Sequence, residues 1–300
     1  MKINITTFLS IFFFLMPLAA GAMDLELSGG VGNAAFDDDR TFTLGEESKA
    51  FTPQIFPLIK AGISGDIGDS FIYYAGYERD PILRNRVYAN MGYKVGFLTL
   101  EMGPFLGVLN SKDSILTPGA AVGINLQFPG IVFLDLKASS TLGSLLEDTG
   151  DYAQNTRNLS LGFWVPYVVC SLNMETKEHI VLTKSETVTE DAVERYFFRA
   201  DVYTKNVPYT VQVDLGYQNL SRSYSDYRLV KKNTKTDELK AFFLGLEAAY
   251  TLFPGFKTFF GGEIPLYSWS SGDMEKPEND AFLFRLRGGI VWTLPTKQQN

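Results

Sequence analysis

Six tight turns, Asp66-Ile67-Gly68, Val95-Gly96, Phe128-Pro129-Gly130, Val165-Pro166, Lys205-Asn206-Val207 and Phe253-Pro254-Gly255, punctuate this chain at quasi-regular intervals. Each separates two runs in which apolar and polar residues alternate. Successive side chains of a strand point to opposite faces, so each run reads as a strand with one apolar and one polar face. Residues 209–218 show this best: Val211, Val213, Leu215 and Tyr217 share one face, and Gln212, Asp214, Gly216 and Gln218 the other. The windows 120–127, 240–252 and 281–294 behave alike, and helical spacing fits none of them as well.

The hairpins are expected at roughly 53–65/69–79, 85–94/97–109, 117–127/131–143, 157–164/167–183, 192–204/208–222 and 238–252/256–269, within two to four residues at each end. A strand at 24–35 precedes them and one at 281–294 follows. The count is about 14, with 12 or 16 as alternatives, and an even number brings both ends of the sheet to the side of the tight turns. Short turns at one end and longer, mostly acidic connections at the other are the pattern of an antiparallel up-and-down β-barrel in a bacterial outer membrane, with both termini periplasmic. Proline falls at or beside four turns (Pro129, Pro166, Pro208, Pro254), where no ladder hydrogen bond is lost. Aromatic residues gather there too, among them Tyr93, Phe97, Phe128, Phe163, Trp164, Tyr167, Tyr203, Tyr209, Phe253, Phe256 and Trp292, as a girdle at the lipid boundary would require. A soluble sandwich would also bury apolar faces, but it would not gather aromatics at the turns.

The first 22 residues read as a cleaved targeting segment: Lys2, an apolar stretch from Phe8 to Ala20, and the small residues Ala20-Gly21-Ala22 at the cleavage point. The apolar stretch is shorter than the roughly 20 residues a spanning helix needs. Residues 23–300 are then expected to form a single barrel domain. No separate plug domain is expected, because the first strand begins close to that cleavage point.

The last strand carries Arg287, Gly289, Ile290, Val291, Trp292, Thr293 and Leu294. This run resembles the assembly signal of bacterial outer-membrane proteins, a polar residue followed by glycine and alternate hydrophobics. The resemblance rests on Arg287, Gly289, Trp292 and Leu294 and implies recognition by the barrel-assembly machinery. It departs from the commonest form in that Pro295 to Asn300 follow the strand. In architecture the chain resembles the broad porin-like class, with no named family assigned.

Lys or Arg facing lipid at mid-membrane costs about 2–4 kcal/mol, so the polar faces must line the lumen. That assigns nine cations (Lys60, Arg86, Lys94, Lys137, Arg195, Arg199, Lys257, Arg285, Arg287) and seven anions (Glu26, Glu101, Asp135, Asp201, Asp214, Glu247, Glu263) to the interior. Arg195, Arg199, Arg285 and Arg287 form either a basic ladder that favours anions or a set of structural ion pairs. The connections 36–52 and 223–237 are long enough to fold inward, and the short 80–85 connection carries Ile82 and Leu83, expected to pack into the lumen mouth. Acidic groups Asp37-Asp38-Asp39, Glu46-Glu47, Glu147-Asp148, Glu190-Asp191 and Asp273/Glu275 fall in the outer connections, read as solvated loops. An acidic mouth argues against nucleic acid as a partner.

Cys170 is the only cysteine, so no intramolecular disulfide forms, and it reads as a small apolar strand residue. His179 is the only histidine; among Glu175, Lys177 and Glu178 it reads as a solvated strand end. No GxSxG motif, cofactor-binding motif or metal spacing accompanies them, so an enzyme is not expected. Outer-membrane lipid and small solutes are the expected partners, and the sequence leaves the oligomeric state open. The expectation is a passive channel for small hydrophilic solutes. The alternatives are a carrier for hydrophobic compounds and a surface adhesin or structural barrel with a closed lumen. The carrier would resemble the 14-stranded fatty-acid transporters, which are longer and carry an N-terminal hatch.

Overall fold

The structure, a computed structural model, describes residues 23–33, 55–109, 115–141, 152–182, 187–203, 207–226, 233–272 and 283–294. Fourteen strands run in chain order: β1 Met23–Gly32, β2 Phe56–Ile67, β3 Phe71–Asp80, β4 Arg84–Val95, β5 Leu98–Leu109, β6 Ile115–Phe128, β7 Val132–Thr141, β8 Tyr152–Val165, β9 Val168–Leu182, β10 Thr187–Tyr203, β11 Tyr209–Asp226, β12 Asn233–Phe253, β13 Phe256–Gly272 and β14 Arg285–Leu294. Every strand pairs antiparallel with its neighbours in sequence, and β1 pairs with β14, so the sheet is a closed barrel. Of the expected counts, 14 is the one that forms.

Closure leaves no unpaired edge, the condition for a sheet to sit in hydrocarbon. The β1–β14 seam is continuous from Met23↔Leu294 to Gly32↔Arg285. Two glycines permit it. A Cβ on Gly30 would come 2.2 Å from the Leu286 carbonyl oxygen, and one on Gly289 would come 2.5 Å from that of Leu27. Gly289 therefore has a packing reason to be glycine, apart from any assembly signal.

The turns use left-handed backbone where the sequence offers glycine: Gly68, Gly96, Gly130 and Gly255 have φ between 59° and 83°. The turn after Pro166 places Tyr167 at φ 69° instead. The outer wall is apolar and exposed, including Met102, Val122, Leu161, Leu172, Leu215, Leu246 and Phe260. Such a continuous surface suits lipid and not water. Rings at the short-turn end touch one another: Phe71–Tyr93, Phe97–Phe128 and Phe253–Phe256 have centroids 4.8–5.0 Å apart. A second cluster, Tyr217, Phe242 and Trp269, lies further along β11–β13. From Tyr209 to Tyr217 the strand runs about 27 Å, about 21 Å of height at a tilt near 40°, comparable with the apolar band of about 25 Å that such a barrel presents to lipid.

Several strands extend beyond their expected outer ends. β8 begins at Tyr152, not 157; β10 begins at Thr187, not 192; β11 continues to Asp226 and β12 starts at Asn233. These extensions, at the end away from the tight turns, are largely polar, so alternation faded there while backbone pairing continued. Two expectations change with this. Glu190 and Asp191 belong to β10 and not to a loop. Most of the expected 223–237 connection is strand, because Ser223 pairs with Thr236 and Asp226 with Asn233 in the β11–β12 ladder; residues 227–232 lie outside the described residues. Segments 1–22 and 36–52 and the acidic residues at 147–148 and 273–275 lie outside the described residues. The wall is consequently uneven: β12 has 21 residues and β3 only 10.

The outward side chain of Leu215 sits between Phe198 and Leu244 in the middle of the apolar band. Leu215→Arg should destabilise the barrel by about 2–4 kcal/mol in urea titrations in lipid vesicles, whereas Leu215→Met should be near neutral.

Candidate functional site

The alternation that greases the wall fills the lumen with charge. Within the barrel lies a chamber of about 390 Å³ lined by side chains from nearly every strand, nine basic and five acidic. The basic residues are Lys60, Arg79, Arg86, Lys137, Lys177, Arg195, Arg199, Arg285 and Arg287; the acidic ones are Glu78, Asp80, Glu101, Glu175 and Glu263.

Ion pairs organise most of them. Lys60 bonds both oxygens of Glu26 at 2.8 Å across β1–β2. Lys137 lies 3.4 Å from Glu101 and 3.6 Å from Asp135. Arg195 bridges Glu175 at 3.3 Å and Glu263 at 2.9 Å. Arg199 grips Asp214 with two parallel bonds of 2.8 and 2.9 Å. Arg287 lies 2.7 Å from Glu247, and Arg285 lies 3.9 Å from Glu263. The four arginines of the anticipated ladder thus each stand against a carboxylate. Lys94 pairs with Asp66 at 2.5 Å near the short-turn end. Lys94, Asp135, Asp201, Asp214, Glu247 and Lys257 lie outside the chamber's own lining.

The chamber is capped by the shortest connection at the end opposite the tight turns. At the end of β3, Asp80 turns the chain: its Oδ1 accepts from the backbone N–H of Ile82 at 2.8 Å and of Leu83 at 3.1 Å. Its Oδ2 accepts from Lys177 on β9 at 2.6 Å. The carbonyl of Leu83 accepts from the Tyr152 hydroxyl at 2.9 Å and from Gln154 Nε2 at 2.5 Å, both on β8. Ile82 packs with Leu220, Leu239, Ala241 and Leu283 against the tall wall. Ile82 and Leu83 are 2% and 1% exposed. The short β3–β4 hairpin therefore reaches across the lumen and is fastened to the opposite side, in agreement with the expected packing of Ile82 and Leu83.

Above the tip lies a second buried polar cluster. Arg222 donates two bonds to Asp191, at 2.6 and 2.8 Å. His179 Nδ1 is 3.9 Å from Asp191 Oδ2, and the imidazole stands edge-on to Tyr152 with centroids 4.8 Å apart. His179 is 1% exposed, so the expectation of a solvated strand end is wrong. The extra length of β8 and β10 encloses it. Cys170 lies on β9, partly exposed.

Sequence reading missed Glu78, Arg79, Asp80, Glu175 and Lys177 as lumen residues. The signal was present: Asn173, Glu175 and Lys177 alternate with Leu172 and Met174, and Glu78 and Asp80 continue the inward face of Tyr74. Nothing in the sequence indicated that Lys177 and Asp80, far apart in the chain, would meet.

These features define the class: an all-β transmembrane barrel of the outer-membrane, porin-like type. No family model matches the sequence, and no curated protein matches it. Among solved structures it is similar to an outer membrane channel from Pseudomonas putida F1, at 7% identity and TM-score 0.48, covering 93% of this chain and 97% of that one. It is similar to a bacterial polysaccharide outer membrane secretin at 11% identity and TM-score 0.44, covering 93% and 100% of the two chains. It is also similar to the CymD monoaromatic hydrocarbon channel at 9% identity and TM-score 0.42, covering 93% and 90%.

The Asp80 turn can be tested directly. Asp80→Ala removes the acceptor of two buried N–H groups and the nearer of the two carboxylate partners of Lys177. Amide exchange at Ile82 and Leu83 should accelerate by about tenfold or more, while exchange in β11–β12 stays unchanged.

Proposed function

We propose that the protein is an outer-membrane channel through which small hydrophilic solutes diffuse passively. The observation that carries this reading is the chamber itself: a polar cavity lined largely by paired charges, inside a closed barrel whose outside is apolar. A water-filled lumen lowers the barrier that hydrocarbon opposes to a polar solute, and no bond chemistry is needed. Eight strands leave room only for side chains and 16–18 leave an aqueous channel, so 14 suits a narrow passage. The β3–β4 tip narrows it further and makes it selective by size.

In this reading residues 1–22 are a cleaved leader and residues 23–300 the barrel domain. Both termini face the periplasm, and the final strand around Gly289 and Trp292 is presented to the barrel-assembly machinery. The lumen charges named from the sequence act as selectivity residues, most of them in paired form and Arg86 unpaired. A carrier for hydrophobic compounds is less well supported, because the chamber is lined by charge. A structural barrel with an occluded lumen has one observation in its favour, the fastening of Ile82 and Leu83 across the interior.

Planar-bilayer recording decides between channel and occluded barrel. Small, stable ohmic steps are expected. Asp80→Ala combined with Ile82→Gly should raise the step size, because the tip loses both its turn and its apolar anchor. Silence from wild type and variant alike would sink the channel reading.

A further inference from the structure

Arg79 and Arg86 are the chamber cations without an ion pair among the described residues, and Arg86 is the more deeply buried of the two. It is only 8% exposed, and its Nε finds no hydrogen-bond acceptor. Its cross-strand neighbour is Glu78, whose carboxylate lies 3.4 Å from Lys177 and makes no direct ion pair with Arg86. The guanidinium meets ring faces instead, 4.3 Å from the centroid of Phe105 and 5.9 Å from that of Tyr88. Ring faces attract a cation but offer its N–H donors no lone pairs.

Both rings are held. Phe105 is buried over Gly119, where a Cβ would come 2.1 Å from the ring. Tyr88 stacks on Tyr74, centroids 5.1 Å apart, with the two hydroxyls hydrogen-bonded at 2.9 Å. The guanidinium is therefore fixed in position at the wall of the chamber.

A buried cation with unmet donors is stabilised by any ligand that brings opposite charge and acceptors. The planar fork of arginine matches the paired oxygens of a carboxylate. We propose that Arg86 is a solute-binding residue that receives the carboxylate of a small organic monoanion within the chamber. Glu78, directly opposite Arg86 across β3–β4, puts negative charge beside the guanidinium, so at this point of a chamber that is net basic overall a second negative charge on the ligand is disfavoured, and phosphate with it. The rims of Tyr74 and Tyr88 offer apolar surface to the organic body. This inference rests on the lumen being a solute path and names the class of solute.

Calorimetric titration of the detergent-refolded full chain tests it, with benzoate, benzamide and inorganic phosphate as probes. Benzoate should bind, phosphate more weakly, and benzamide not at all. Arg86→Gln should weaken benzoate by about tenfold or more, the loss expected for a hydrogen-bonded charge pair, and Arg86→Lys by less. Glu78→Gln should tighten it, which keeps the proposal testable if Arg86→Gln does not refold. The proposal is overturned by absent benzoate binding, by equal affinity for benzamide or phosphate, or by affinity indifferent to these substitutions. Bilayer recording separates the two readings. A barrel that binds benzoate through Arg86 but passes no current loses the channel function and keeps the site. A conducting barrel unaffected by benzoate loses the site and keeps the channel.

Discussion

The structure depends on satisfying backbone hydrogen bonds where no water is available. In hydrocarbon an unpaired N–H or C=O costs several kcal/mol, so a sheet can cross only if its first and last strands meet. Here that junction is the β1–β14 seam, a continuous register made possible by Gly30 and Gly289. Once the cylinder closes, strand alternation does the rest. One face of every strand meets lipid, and the other must place its charges in a confined interior.

Confinement governs the interior. Charges brought together within a barrel are stable only when paired and hydrogen-bonded. Arg195, Arg199 and Arg287 each hold a carboxylate within 3.0 Å. This pairing turns a row of like charges into a mixed lining. Where the geometry denies a carboxylate, as at Arg86, aromatic faces take its place. The uneven wall has its own consequence. A short β3–β4 hairpin opposite tall strands has a surface to dock on, and Asp80, Ile82 and Leu83 use it.

Much of this was legible because strand periodicity is a local property. Turns at Gly68, Gly96, Gly130 and Gly255, the girdle of Phe97, Phe128, Phe253 and Trp292, and the inward side of Lys60, Arg195 and Arg285 all follow from alternation and turn chemistry. Strand ends were less legible. At 152–156, 187–191 and 233–237 both faces carry polar residues, so alternation gave no signal and the extended pairing went unseen. His179 was misplaced for the same reason: its neighbours in sequence are charged, but its neighbours in space are Tyr152 and Asp191.

By itself the amino-acid order determined the class of fold, a strand count near 14, the face most strand residues take and the grouping of the tight turns at one end. All of these are set by residues within a few positions of one another. Only the tertiary structure decided which charges meet, that the tip at Ile82 crosses the lumen to β9, β11 and β12, and that Arg86 is left with rings in place of a carboxylate. Those outcomes depend on strand stagger and on distances across a closed cylinder, and a one-dimensional pattern contains neither.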